Sequence, residues 1–323
     1  MWYPMKCIST TENKQIGLAP MSGYTDRVMR RLSSAHGADF AYSEMLSSSA
    51  LSRGHTTLDS LSPDDRVPIQ LFGSDPKELV CAAKIVEDRA AWVDINAACP
   101  VRKVTKKGAG AALLREPEKI ASMIRMLKDH TGLKVSVKIR LGWSANTLLN
   151  ILDTVCDEYP DILIIHGRTA SQGYRGKADW KAIQKAANHL DGLEVVILGS
   201  GDLFTPDDIV QALSNTRVNG VVVARGAIGN PWIFRQSKDL LRTGAYRCIP
   251  LDERLRLFNY HVEQLIEAYG EYGAIRRARK LFSGYTRGII GAAEMRSDYM
   301  KLDSFDQVHR FVNNLIEERR SMS

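Results

Sequence analysis

The sequence predicts an α/β protein, a (β/α)8 TIM barrel over residues 1–240 followed by a small helical domain over 241–323. Short apolar runs recur eight times, each followed by polar or glycine-rich residues and then an amphipathic stretch. The turn after the first run, Ala19-Pro20-Met21-Ser22-Gly23, lacks the G-x-G-x-x-G spacing that an open doubly wound sheet wants at that point. Strict alternation of strand and helix with that fingerprint missing favours a closed parallel barrel. At 323 residues the chain also has room for a barrel of about 250 residues and an appendage.

Strands are expected at 16–19, 38–43, 67–72, 92–96, 134–139, 162–166, 194–198 and 219–223. Two helix starts are explicit. Asp75-Pro76-Lys77-Glu78 offers an N-cap, a proline at the first helical position and an early glutamate, and Thr205-Pro206-Asp207-Asp208 repeats the logic. Beyond residue 240 the strand pattern stops. From Asp252 to Tyr269, Leu255, Phe258, Val262, Leu265, Ile266 and Tyr269 share one helical face, and Gly270 is placed to close it with a left-handed cap. Ser304-Phe305-Asp306-Gln307 is a capping-box pattern opening a helix with Val308, Phe311, Val312, Leu315 and Ile316 on one stripe.

Composition narrows the function classes. Hydrophobic residues at 44% and charged residues at 25% fit a globular chain rather than a disordered one. The net charge of +7 favours polyanionic partners, although a basic balance alone also suits an ordinary soluble protein. Met1-Trp2-Tyr3-Pro4-Met5-Lys6-Cys7 has no basic region leading into an apolar run, and no segment approaches a membrane span, so a cytoplasmic monomer is expected. Cys7, Cys81, Cys99, Cys156 and Cys248 form no C-x-x-C pair, which argues against both a disulfide framework and a zinc site.

In a barrel the C-terminal strand ends face the active site. Here they carry Pro20 and Met21, Glu44, Gln70, Asn96 followed by Cys99, Lys138 with Arg140, His166 with Arg168, Gly201 with Asp202, and Arg225 with Gly226. The last two ends are where barrels build phosphate sites, and Gly199-Ser200-Gly201-Asp202 with Ala224-Arg225-Gly226 offers close backbone approach and one cation, or else only tight turns. Along 135–140, Ser136, Lys138 and Arg140 share a face, so Lys138 either meets an anion inside the barrel or reaches water at its rim. His166 has no partner at metal-ligand spacing and reads as a hydrogen-bonding residue. Cys99 opens a loop holding Arg102, Lys103, Lys106 and Lys107, an unusual setting for an inert thiol.

At Ile95-Asn96-Ala97-Ala98-Cys99-Pro100 and Gly108-Ala109-Gly110-Ala111-Ala112-Leu113-Leu114 the chain resembles the dihydrouridine synthases, whose pattern reads N-x-G-C-P and then G-A-G-A-A-L-L. The resemblance runs on through Ser43-Glu44-Met45, Gln70-Leu71-Phe72-Gly73, Lys138-Ile139-Arg140-Leu141-Gly142-Trp143, His166-Gly167-Arg168-Thr169, Gln172-Gly173-Tyr174 and Gly229-Asn230-Pro231-Trp232. Arg277-Ala278-Arg279-Lys280 is similar to the family's helical RNA-binding domain. The resemblance implies an FMN on top of the barrel, lined by Pro20, Met21 and Ser22 and bonded by Gln70, Lys138 and His166. It implies that Ser200, Gly201 and Asp202 approach the ribityl chain and that Ala224, Arg225 and Gly226 hold the phosphate. By the same resemblance Asn96 and Arg168 orient a uracil of tRNA, NADPH is the reductant, and Cys99 protonates C5 after hydride reaches C6.

Three positions depart from the pattern: Ala98 for glycine, Ser200 for asparagine and Ala224 for glycine. Ala98 would strain the loop if that position needs a positive φ. Two rivals remain open at this point, an FMN-dependent reductase of free pyrimidines and a non-catalytic RNA-binding protein on a decayed barrel.

Overall fold

The computed structural model describes residues 14–55, 58, 61 and 66–321. The reading of Met1–Cys7 falls outside the described residues. Among the described residues eight parallel strands run in the order β1-β8-β7-β6-β5-β4-β3-β2. They are β1 Gln15–Leu18, β2 Leu46–Ser47, β3 Val67–Phe72, β4 Ala90–Asn96, β5 Val135–Arg140, β6 Ile162–His166, β7 Val196–Ser200 and β8 Gly220–Val223. The helices are α1 Arg27–Ala35, α2 Ser48–Ser52, α3 Pro76–Val86, α4 Arg102–Thr105, α5 Pro117–His130, α6 Leu148–Cys156, α7 Trp180–His189, α8 Pro206–Ser214, α9 Ile233–Thr243, α10 Leu251–Tyr285, α11 Ala292–Tyr299 and α12 Phe305–Ser321.

Seven strands fall within two or three residues of their expected bounds, and the second does not. Residues 39–43 occupy its place and close the barrel. Asp39 N donates to Ile16 O at 3.0 Å, Tyr42 N to Leu18 O at 3.1 Å, and Ser43 N to Pro68 O at 2.9 Å. Only a single bridge, Leu18 to Ala41, is regular here. On the β3 side Pro68 has no N–H to return, which interrupts the ladder there. The Ser43 hydroxyl accepts the next available N–H, from Gln70 at 3.1 Å. Regular pairing starts later, at Leu46 with Leu71 and Ser47 with Phe72.

Both explicit helix starts are formed. Asp75 accepts from Lys77 N with Pro76 in the first turn, and Thr205 and Asp208 make the reciprocal capping box, each device worth about 1 kcal/mol. At α12 the box is shifted: Gln307 N donates to Ser304 Oγ at 3.4 Å, while the Gln307 side chain accepts from Asp303 N rather than from Ser304.

Pleat alternation divides the barrel in two. Outward-facing Ile69, Leu71, Val93, Ile95, Val135, Val137, Ile139, Leu163, Ile165, Ile197, Val221 and Val223 pack under the helices. The inward face is closed by Tyr42, Ile162, Ile164, Leu198 and Val222, with Phe40, Tyr42 and Trp92 in mutual edge contact at 5.5–5.8 Å. After α9 a second core forms on α10, α11 and α12, joined by Val28 and Leu32 of α1 and by Trp232. The expected stripes lie in it: Leu255, Phe258, Val262, Leu265, Val308 and Val312 are fully buried. Gly270 interrupts α10 with φ 71 and ψ 161, so the positive φ is present, but the carbonyl is turned to the extended region rather than to a left-handed helical cap. No described helix is long and apolar enough to cross a membrane.

Candidate active site

The site is built from inward-facing positions two residues apart on adjacent strands. Register sets Gln70 beside Asp94 and Asp94 beside Ser136, then Asn96 beside Lys138, then Arg140 beside His166 and His166 beside Ser200. Every one of these side chains therefore points up or into the barrel, which an odd-numbered register would have turned toward the helices.

On the β6–β8 side, His166, Ser200, Gly201, Asp202, Ala224, Arg225 and Gly226 line one cleft together with Tyr174, Leu203, Phe204 and Val222. All seven of the expected residues named first in that list meet here. Arg225 is half-exposed at its mouth, with its guanidinium 4.7 Å from the Tyr174 ring and 5.0 Å from the Phe204 ring and an ion pair to Asp202 at 3.3 Å. Asp202 takes a left-handed backbone, φ 53, that aims its carboxylate back at Arg168. Partial burial works against its charge, yet the Arg168 hydrogen bonds, the Ala178 N–H and the charges of Arg168 and Arg225 together hold its pKa below the ordinary carboxylate value. Gly201 and Gly226 are required by space, since a Cβ would stand 2.6 Å from Ala178 Cβ and 2.1 Å from Leu203 O respectively.

The side chain of Arg168, buried, also donates to the carbonyls of Arg175 and Gly176, which leaves Nη1 buried without a hydrogen-bond partner. His166 Nε2 is likewise buried and unpartnered. Burial, and then the charges of Lys138, Arg140, Arg168 and Arg225, hold the pKa of His166 well below its ordinary value, so the ring is neutral at pH 7. Lys138 is pulled down to about 8, first by burial and next by Arg140, against the opposing charges of Asp94 and Cys99. It still carries its proton at neutral pH.

On the β4 side the loop bearing Cys99 is pinned at several points. Asn96 Oδ1 accepts from Ala98 N at 3.1 Å and Cys99 N at 2.9 Å, and Cys99 O accepts from Ala111 N at 2.9 Å. Arg140 Nε donates to Ala98 O at 2.7 Å. Cys99 itself is half-buried and falls within the field of Lys138 and Arg140. Ala98 does not take a positive φ, so the anticipated strain is absent, and the tight point is Gly110, φ 62, where a Cβ would stand 2.7 Å from Cys99 O.

The remaining expected residues divide. Pro20 and Met21 are half-buried and Ser22 is exposed on the β1 loop, which Glu44 and Lys280 hold by bonds to Gly23 N and Gly23 O. Gln70 and Asn96 are buried, and both sides of the Asn96 amide are engaged within the protein. Asp94 was not among the expected residues, although its place two residues before Asn96 puts it on the same inward face. Tyr174 and Phe204 as flanks of Arg225 carried no sequence signal. Among the described residues no group of three or more His, Cys, Asp or Glu side chains is placed to hold a metal ion.

Comparison with known proteins bears on the fold and the family. Two solved structures share the fold: 2-naphthoyl-CoA reductase, with TM-score 0.55, 12% identity and coverage of 69% of this chain and 49% of that one, and a DHODH from Eimeria tenella, with TM-score 0.53, 15% identity and coverage of 74% and 87%. Among curated sequences, a probable tRNA-dihydrouridine synthase of Treponema pallidum is 34% identical over 319 residues, 94% of each chain. The tRNA-dihydrouridine synthase B of Pseudomonas aeruginosa is 32% identical over 320 residues, 97% of this chain and 95% of its own. The dihydrouridine synthase profile matches residues 17–319, a span that takes in both the strand-end cleft and the Cys99 loop. The chain belongs to the dihydrouridine synthase family.

Proposed function

We propose that the protein reduces the C5=C6 bond of selected uridines in tRNA, with FMN as cofactor, NADPH as reductant and Cys99 as the proton donor. The observation that carries the reading is the placement of a half-buried thiol, on a loop tied to β4 and β5, next to an inward lysine and a cleft lined by His166, whose buried Nε2 has no partner.

The residues fit a phosphorylated ring. His166, which lines the cleft, has a buried Nε2 without a partner, a state that costs about 1–3 kcal/mol unless something fills the cleft. Arg225 and the backbone at Gly226 suit the phosphate, Ser200, Gly201 and Asp202 the ribityl chain, and Gln70, Lys138 and His166 the ring edge, with Pro20, Met21 and Ser22 along its side. Bound and reduced, the flavin supplies the hydride that adds to C6.

Hydride addition leaves negative charge at C5 and O4, so an acid at C5 lowers the barrier. The Cys99 S–H bond breaks as the C5–H bond forms, and the sulfur left as thiolate lies in the field of Lys138 and Arg140. Arg168 orients the base, while Asn96 acts on it through the loop it holds. A uracil must leave its stack to reach this depth, at a cost of a few kcal/mol. Contacts on the helical region 241–323 offset that cost: Tyr272, Gly273, Arg276, Arg277 and Lys280 line a groove where Arg276 lies over Tyr272 and Lys280 over Tyr24, a cation and aromatic surface suited to an RNA backbone. Arg279 is not part of it, since it turns inward to Leu302 O at 3.0 Å.

The test is to incubate the purified protein with NADPH and either unmodified tRNA or free uracil and orotate, and to follow dihydrouridine by mass spectrometry. Product in tRNA alone is expected. Cys99→Ala should retain flavin and lose on the order of 100-fold or more in turnover, the usual worth of a positioned acid. Reduction of the free bases alone, or a colourless protein that binds tRNA without changing it, would reject the reading.

A further inference from the structure

We infer that Asp94 is a positioning residue: as the common acceptor of two directed hydrogen-bond chains inside the barrel, it sets the orientation of the Gln70 and Asn96 amides and thereby the placement of Cys99. It deepens the reading of Cys99 as acid, but its test follows the thiol itself and stands apart from turnover.

Asp94 is fully buried at the middle of β4. One chain reaches it from the barrel floor. Trp92 Nε1, which can only donate, bonds Tyr42 OH at 2.9 Å, the Tyr42 hydroxyl lies 3.5 Å from Ser136 Oγ, and Ser136 Oγ donates to Asp94 Oδ1. The other chain comes from the catalytic loop. Gln70 Nε2 donates to Asp94 Oδ2 at 2.7 Å, and Asn96 Nδ2 donates to Gln70 Oε1 at 2.8 Å. Asn96 Oδ1 is then left facing the N–H groups of Ala98 and Cys99.

Direction is what the carboxylate contributes. An ionised carboxylate accepts only, so Gln70 must turn its NH2 down and its carbonyl up. That carbonyl demands the NH2 of Asn96, and the remaining oxygen of Asn96 is the one atom that can take two backbone donors. Were Gln70 reversed, Asn96 would reverse with it and place its NH2 against the N–H groups of Ala98 and Cys99, and the loop would have to move. The groups facing Asp94 from neighbouring elements are Tyr42, beside β1, and Ser136 and Lys138 on β5; burial pushes the carboxyl up to about 6, against the hydrogen bonds from Ser136 and Gln70 and the charge of Lys138. Asp94 touches no solvent and lies below the loop, so its hydrogen-bond path to Cys99 runs through Gln70 and Asn96, while its charge also acts on Lys138.

The experiment measures alkylation of Cys99 by iodoacetamide, site by site by mass spectrometry, in the purified full-length chain, with buried Cys156 as internal reference. Asp94→Leu, which removes the acceptor, should raise the Cys99 rate by roughly fivefold or more, with Cys156 unchanged. Asp94→Asn should return it to within about twofold, because its carbonyl can serve Gln70 while its NH2 donates to Ser136 in place of the bond Ser136 now makes to the carboxylate. Asp94→Leu added to Asn96→Ala should have no further effect, since the chain is already cut. If Asp94→Leu does not fold, Gln70→Leu cuts the next link while Asp94 keeps Ser136, and the same rise is expected. An unchanged Cys99 rate, a parallel rise at Cys156, or additive effects of Asp94→Leu and Asn96→Ala would overturn the inference.

Discussion

Asp202 and Arg168 meet at 2.6 Å across the ends of β6 and β7, with the arginine side chain 2% exposed and the aspartate in a left-handed backbone conformation. The pair is held from both sides, since Ala178 N donates to Asp202 and two carbonyls accept from Arg168. Removing the carboxylate leaves a buried cation without its counter-charge, the costly direction for such a pair. Asp202→Ala should lower stability by about 3 kcal/mol and weaken flavin retention, whereas Asp202→Asn, which tolerates the positive φ and keeps an acceptor, should lose less. Chemical denaturation of the two variants checks the ranking, and equal losses would mean that the lost charge, common to both, outweighs the backbone conformation and the retained acceptor.

Gly110 and Cys99 form the second tight relationship. A methyl group at residue 110 would sit 2.7 Å from Cys99 O and 2.8 Å from Val104 Cγ1, on a backbone with φ 62. Gly110→Ala should therefore displace the Cys99 loop and cost about 1–2 kcal/mol from the positive φ alone. Gly54→Ala, also at positive φ but with open space around it, carries the strain without the clash. Turnover should fall in the first variant and stay within about twofold in the second, since only the first moves the acid; steady-state rates on tRNA decide between them.

Much of this site was legible because pleat alternation and strand ends are sequence properties. Gln70, Asn96, Lys138, His166 and Ser200 sit where a period of two and a barrel require them. What was not legible depends on contacts between distant segments. Pro68 interrupts the pairing of residues 39–43 with β3, which appears only when two strands are laid side by side. Tyr174 and Phe204 flank Arg225 from two different loops, and loop conformation has no short-range code. The inward turn of Arg279 beside the outward Arg276 is a matter of helix phase against the turn between α11 and α12, which a run of basic residues does not reveal. Asp94 could have been found, because it shares the pleat of Asn96, but an acid in the middle of an apolar run gives no hint of which donors surround it.

Lys138 gives the pH dependence. Its folded pKa of about 8 against an ordinary 10.5 means that between those values the unfolded chain holds a proton the folded one has lost. Stability therefore rises with pH across that window, and the burial penalty is fully present below pH 8. A ring edge that accepts a hydrogen bond from the ammonium has the opposite preference and binds best when Lys138 is charged. Affinity for FMN should be level below pH 8 and fall by up to about tenfold per pH unit above it, and Lys138→Met should bind more weakly with no such break. Fluorescence titration of the flavin from pH 7 to 9 measures both, and a break retained in the methionine variant would assign the titration elsewhere.

Arg276 tests the RNA surface by charge alone. It is exposed, donates to Tyr272 OH at 3.0 Å and lies 5.4 Å from that ring, so its removal disturbs no buried contact. Each phosphate neutralised contributes close to one unit to the slope of log affinity against log salt. Arg276→Ala should reduce the slope for tRNA by about 1 and weaken binding evenly across tRNA sequences. Arg279→Ala removes a partly buried bond to Leu302 O and should instead lower thermal stability with the slope unchanged. Affinity measured over a salt series for both variants settles the matter, because a slope lost at Arg279 and kept at Arg276 would place the phosphate path on the other side of the helix.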